Sequence, residues 1–143
     1  MNQTFPWQSL VSQSLGYSDW LTKDQQSINH FADVTEDHQF IHVDPDAAAK
    51  TSIGNTMAHG FLSFSLVTTL MYELIAPYRG NSTIVNYGSN KLRFITPVKS
   101  GSRVRLHMVV TKITEKIQPI HYSPSIPPWR LRVKTRPLLS LKT

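Results

Sequence analysis

The stretch Glu36-Asp37-His38-Gln39-Phe40-Ile41-His42-Val43-Asp44 holds the densest group of titratable side chains in the chain. Asp37 and His42 stand five apart. A carboxylate and an imidazole that converge can share one water and work as an acid/base pair. The same composition suits a solvated loop whose Asp and His cap neighbouring backbone, and spacing alone leaves both readings open. A second group is His59-Gly60, at the start of a strongly apolar run. If a helix begins there, its first N–H groups are unpaired and carry partial positive charge. Glycine would let a ligand approach that backbone closely, so a carbonyl oxygen gaining negative charge could be held there. A glycine required only for tight packing fits equally well. Thr68 and Thr69, within the run, suit core threonines bonded to the preceding turn. His30, His107 and His121 have no evident partner and read as structural or surface residues. There is no cysteine, which excludes disulfides, thiolate metal sites and cysteine nucleophiles. No Cys/His metal spacing, G-x-S-x-G elbow or phosphate-binding glycine loop is present.

These residues need elements to position them. Thr22 followed by Gln25 fits a capping box opening a short helix, with Ile28, Phe31 and Ala32 on one face. A polar loop at residues 35–39 follows. Asp44-Pro45 fits an N-cap and a first-turn proline, so residues 46–50 are expected to be helical. Leu62, Leu66, Leu70 and Leu74 recur every four residues, while Phe61, Phe64, Val67 and Met71 fill the other faces. That pattern predicts a helix buried nearly all round, ended by Pro77 and Gly80. Residues 83–87, 91–95 and 102–113 favour β structure, with alternation from Arg103 to Val109. The inventory is α+β, a helix wrapped by antiparallel strands.

The chain has 143 residues, 40% of them hydrophobic, enough for one domain with a real core. Met1-Asn2-Gln3-Thr4 shows neither the basic nor the apolar part of a secretory signal. Residues 51–72 lack charge but carry His59 and many hydroxyls, short of a membrane span. A cytoplasmic protein is the expectation. The net charge of +6 suggests nucleic acid, but its distribution does not. Residues 1–116 hold ten Lys/Arg and nine Asp/Glu, whereas residues 117–143 hold five Lys/Arg and no acid. The basicity belongs to a tail that also carries five of the nine prolines and lacks interleaved aromatics, so nucleic-acid binding ranks last.

The run from Phe31 to Asp44, followed by Met57-Ala58-His59-Gly60-Phe61-Leu62-Ser63, resembles the MaoC-like (R)-specific enoyl-CoA hydratases, in particular their nodulation protein N branch. Tyr87-Gly88-Ser89-Asn90-Lys91-Leu92-Arg93-Phe94 and Pro97-Val98-Lys99-Ser100-Gly101-Ser102 extend the resemblance over roughly residues 10–116. It implies a hot dog fold, in which a curved antiparallel sheet wraps a long helix and subunits pair as homodimers. It implies catalytic roles for Asp37, His42 and the Gly60 amide. Gln39, His59 and Thr68 become candidate substrate contacts. Gln39-Phe40 replaces the Asn-Pro of many members and follows the nodulation-type branch. The implied reaction is reversible hydration of a trans-2-enoyl-CoA to an (R)-3-hydroxyacyl-CoA, with no metal or cofactor. Lys91, Arg93, Lys99 or Arg103 could meet coenzyme A phosphates, although each alone also suits an exposed strand charge.

After Lys116 the resemblance stops. Residues 117–143 form an atypical Pro-rich basic tail where the family has two more strands, so the C-terminal strands are expected to be missing or altered. A reading-frame shift near Lys116-Ile117 would account for this. With permissive codons a neighbouring frame reads as an acidic, amphipathic strand. Arg130-Leu131-Arg132-Val133-Lys134 alternates and is a candidate substitute strand. Two other functions fit the same family features: an acyl-CoA thioesterase of the hot dog fold, and a non-catalytic acyl-CoA binding module.

Overall fold

The computed structural model describes residues 7–80, 83–117, 129–135 and 138–142, with side chains as far as Thr114. His121 and the tail prolines lie outside the described residues. A 3-10 turn at Trp7–Leu10 leads to β1 (Ser14–Tyr17) and β2 (Leu21–Thr22). Helices α1 (Gln25–Thr35), α2 (Phe40–Val43), α3 (Pro45–Ala49) and α4 (Gly60–Arg79) follow, then β3 (Arg103–Ile117), β4 (Trp129–Thr135) and β5 (Leu138–Lys142).

The 15-residue β3 is the hub. One edge pairs antiparallel with β1 and β2, Tyr17 opposite His107 and Leu21 opposite Val104. The other edge pairs antiparallel with β4 and β5, Ile117 opposite Trp129 and Leu106 opposite Leu139. The tail segment Arg130–Lys134 is thus part of a strand, and β4 and β5 lie along one edge of β3. Side chains along β3 alternate. Val104, Leu106, Met108 and Val110 are buried, while Arg103, Arg105 and His107 face outward. The register shifts between Val110 and Lys112, which turns Ile113 inward in place of Lys112. The buried face packs against Leu70 and Ile75 of α4, with Trp7 and Leu10. A second cluster joins Ile28 of α1 to Ala58, Leu62, Val98 and Val104. It sits directly beneath the loops that carry the polar residues.

Four expectations change. The cap of α1 is Asp24, whose carboxylate accepts from Ser27 N–H at 2.8 Å. Thr22 lies in β2 instead, and Gln25 points elsewhere. Pro77 lies inside α4, and the helix runs on to Arg79 before Gly80 ends it at φ +52°. Pro77 lacks only the donor for the Glu73 carbonyl, and one missing bond near a helix end is tolerated. Nor is α4 buried all round. A single sheet covers one face, leaving Phe61 and Tyr72 exposed. Residues 83–87 and 91–95 are not strands. The segment runs over α4 as an irregular strap. Tyr72 OH donates to the Ile84 carbonyl at 3.0 Å, and Asn86 Nδ2 donates to Thr68 Oγ1 at 2.5 Å.

The short helix after Asp44 forms as its local signals require, Asp44 accepting from Ala47 N–H at 2.9 Å with Pro45 in the first turn. By length and composition α4 could cross a membrane, although the uncharged residues 51–72 fall short of a span. Here it packs on β3.

Candidate active site

Local backbone brings the polar residues together. Helix α1 ends where Glu36 takes a left-handed conformation, φ +60°. The chain reverses there, and one turn, α2, follows. His42 sits in that turn and is 6% exposed. Its Nδ1–H donates to the Met57 carbonyl at 2.6 Å. That bond fixes the neutral tautomer, leaving Nε2 with its lone pair. Met57 N–H returns a bond to the Ile41 carbonyl at 3.0 Å, so α2 and the segment before α4 are stitched side by side.

His59 occupies the N-cap position of α4 and is 4% exposed. Its Nε2–H donates to the Asp37 main-chain carbonyl at 2.9 Å, and the Asp37 carboxylate lies 3.9 Å from the same nitrogen. Its Nδ1 is buried and has no partner among the described residues. A neutral imidazole nitrogen in that state accepts. The His42 and His59 rings stack, centroids 3.7 Å apart and planes 25° from parallel. One carboxylate oxygen of Asp37 and one nitrogen of each imidazole lie within 4.8 Å of one another.

Such a trio raises the question of a metal. Imidazole lone pairs lie in the ring plane. Two rings stacked face to face do not aim both nitrogens at one ion about 2.0–2.1 Å from each. The arrangement suits a shared water or a substrate group better.

Gly60 is the first residue of α4, so its N–H has no acceptor within the helix. The Phe94 ring lies against its Cα. A methyl group on Gly60 would fall 2.7 Å from Phe94 Cδ2. Phe94 in turn meets Phe61 edge to face at 5.7 Å.

The structure therefore gathers Asp37, His42, His59 and Gly60. It does not bring Thr68 to them: Thr68 lies two turns further along α4 and accepts from Asn86. Gln39 is exposed at the N-cap of α2, with its carbonyl accepting from His42 N–H at 2.8 Å and its side chain making no cap bond. Lys91, Arg93 and Arg103 are exposed, Arg103 lying over the Trp20 ring at 5.3 Å. Lys99 and Asn55 line a small polar pocket with Ser100, Gly101 and Ser102. His107 bonds Ser14 Oγ through Nε2 at 3.0 Å and stacks on Tyr17. The Met57 carbonyl, the Phe94 ring and Gln25 were not legible as site residues. Nothing in their local sequence marks them, because each acts on a group far away in the chain.

His38 bonds outward, away from this cluster. Its Nε2–H donates to Asp33 Oδ1 at 3.0 Å. That hydrogen bond, opposed by burial and helped by the charge of Asp33, raises the His38 pKa above its ordinary 6.5. A raised folded-state pKa favours the folded state fully below about pH 6.5, and the gain fades as pH rises through the folded value. Asp33→Asn is expected to lower the His38 pKa toward its ordinary value. An NMR titration of the His38 ring protons that gives the same midpoint in both proteins would remove the Asp33 bond as the cause.

Comparison with known proteins agrees with this architecture. The MaoC like domain family matches residues 7–126. Nodulation protein N of Rhizobium meliloti (strain 1021) is 48% identical over 104 residues, 72% of this chain and 65% of that protein. 3-Hydroxyacyl-thioester dehydratase Z of Mycobacterium tuberculosis (strain ATCC 25618 / H37Rv) is 47% identical over 95 residues, 66% of this chain and 62% of that protein. The chain thus spans a little under two thirds of these relatives' lengths. Among solved structures, R-hydratase PhaJ1 from Pseudomonas aeruginosa superposes with a TM-score of 0.62 at 23% identity, over 96% of this chain and 81% of that one. The (R)-hydratase from A. caviae gives 0.60 at 24%, over 92% and 91%. These likenesses establish the hot dog fold. With residues 7–126 matched and the nodulation proteins at 46–48% identity, the chain belongs to the MaoC-like dehydratase family, in its nodulation protein N branch.

Proposed function

We propose that the protein is an (R)-specific enoyl-CoA hydratase, adding water to a trans-2-enoyl-CoA to give the (R)-3-hydroxyacyl-CoA. The observation that carries this reading is the meeting of Asp37, His42 and His59 within 4.8 Å at the N-terminus of α4. The likeness to (R)-hydratases and to a thioester dehydratase supports it. Asp37 and His42 grip one water. His42 Nε2, freed by the Nδ1 bond to Met57, takes a proton as the oxygen bonds to C3. Electron density moves from the C2–C3 double bond into the thioester carbonyl, where the Gly60 N–H and the helix dipole hold it. The carbonyl re-forms as C2 takes up the proton that His42 received, so one water has been added in all and the imidazole is neutral again. The homodimer and the cytoplasmic location belong to the same proposal.

A crotonyl-CoA assay tests it. Loss of enoyl absorbance without release of free thiol is the expected result. Thiol release in place of hydration would point to a thioesterase, and binding without turnover to an acyl-CoA binding module.

We further propose that residues 117–143 arise from a shifted reading frame near Lys116-Ile117, leaving residues 1–116 as a MaoC-like domain incomplete at its C-terminus; the family match itself runs on to residue 126. The abrupt change from near neutrality to unopposed positive charge supports this. Resequencing the gene decides it: a neighbouring frame that encodes no amphipathic strand rules the shift out.

A further inference from the structure

One side chain outside the cluster bonds both the His42 main chain and the segment that leads to His59 and Gly60. Gln25, the first residue of α1, is half-buried and its amide makes three hydrogen bonds. Nε2 donates to the His42 main-chain carbonyl at 2.7 Å and to Asn29 Oδ1 at 2.8 Å. Oε1 accepts from the Thr56 hydroxyl at 2.5 Å. Because the His42 carbonyl can only accept, the amide has one orientation. Thr56 is 1% exposed and is itself fixed, its N–H donating to Asn55 Oδ1 and its carbonyl accepting from Ser100 N–H. The next residue, Met57, carries the carbonyl that takes the His42 ring proton. His59 and Gly60 follow.

We propose that Gln25 is a positioning residue that holds the His42 imidazole in register with the segment leading to Gly60, and so governs turnover more than substrate affinity. The inference rests on the hydratase reading above. Helix α2 is a single turn, too short to hold its own shape. Its direct bonds to Met57 and its attachment through Gln25 together keep His42 at a constant distance from the amide that opens α4. The side chain reaches its partners through main-chain and hydroxyl groups, and a shift of about 1 Å in a reacting group can cost on the order of 100-fold in rate.

Gln25→Met and Gln25→Glu both preserve side-chain length, so a space-filling role would survive either. A clamp survives neither. Methionine makes no comparable hydrogen bonds, and glutamate presents an oxygen to the His42 carbonyl where a donor is needed. In both variants kcat for crotonyl-CoA hydration is expected to fall about 10- to 100-fold with KM within about twofold. The His42 ring N–H, sheltered by its bond to Met57, is expected to lose its protection in proton NMR. Thr56→Val removes one hydroxyl from the clamp without changing its shape, and is expected to lower kcat several-fold. It serves should the Gln25 variants fold poorly. Wild-type kcat with an unchanged ring N–H signal, in any folded member of this set, overturns the proposal. If the wild-type protein binds crotonyl-CoA but does not hydrate it, the hydratase reading fails, and the NMR signal still reports whether Gln25 holds His42.

Discussion

Asp37→Asn and His42→Ala are each expected to slow crotonyl-CoA hydration by about 10²–10⁴-fold, the range over which a positioned acid or base contributes. The two substitutions differ in what else they disturb, and the difference is useful. The Asp37 side chain is 55% exposed. Its amide isostere removes charge and basicity but no core contact, so the thermal unfolding midpoint should not move. His42 is buried against His59 and bonded to Met57. Its loss opens a cavity and frees the Met57 carbonyl, so destabilisation of about 1–3 kcal/mol is expected alongside the kinetic loss. The double variant should be little slower than the worse single one, because both groups act on the same water and the second loss removes nothing further. Near-multiplicative losses would show that the two side chains act on separate steps. A full rate in Asp37→Asn would remove the carboxylate from the mechanism.

Some of this arrangement could be read before any coordinates, and the reason is locality. Asp44-Pro45 determines the start of α3 through a cap and a fixed φ, both within four residues. The spacing of Leu62, Leu66, Leu70 and Leu74 marks α4 without reference to the rest of the chain. Alternation from Arg103 to Val109 marks β3 in the same way. Residues 83–87 and 91–95 have the composition of strands, yet they run over α4 and are tied to its side chains, Tyr72 bonding Ile84 and Thr68 bonding Asn86. The tail illustrates the converse. Proline-rich and basic, it still supplies two stretches of ladder, because Arg130–Lys134 alternates and an edge was open to it. At the site, Asp37 and His42 carried a chemical signature but no proof of convergence. That convergence comes from the left-handed turn at Glu36 and the one-turn helix after it. Gln25 was unreadable for a related reason. Its partners at positions 42 and 56 become neighbours only when three segments fold together. His59 read as the approach to a helix, and nothing in the sequence announced that its ring would stack on His42.

Gly60→Ala is expected to lower kcat/KM for crotonyl-CoA about 100-fold while changing stability by no more than about 1 kcal/mol. Two effects on folding oppose each other. Alanine is better than glycine in a helix by about 1 kcal/mol. Against that, the new Cβ would lie 2.7 and 2.8 Å from Phe94 Cδ2 and Cε2, closer than carbon atoms approach, so the ring must move. It can: Phe94 is half-exposed and belongs to the irregular strap, with no ladder bonds to break. The activity has no such escape. A thioester oxygen must come within about 2.7–3.1 Å of the Gly60 N–H for that donor to matter, and the methyl group stands beside the approach. The double variant Gly60→Ala/Phe94→Ala separates the two obstacles. Removing the ring should restore whatever stability the contact cost, but the methyl remains, so activity should recover tenfold at most. A single Gly60→Ala variant with unimpaired kcat/KM would show that the amide opening α4 does not receive the thioester oxygen, and the developing charge would need another donor.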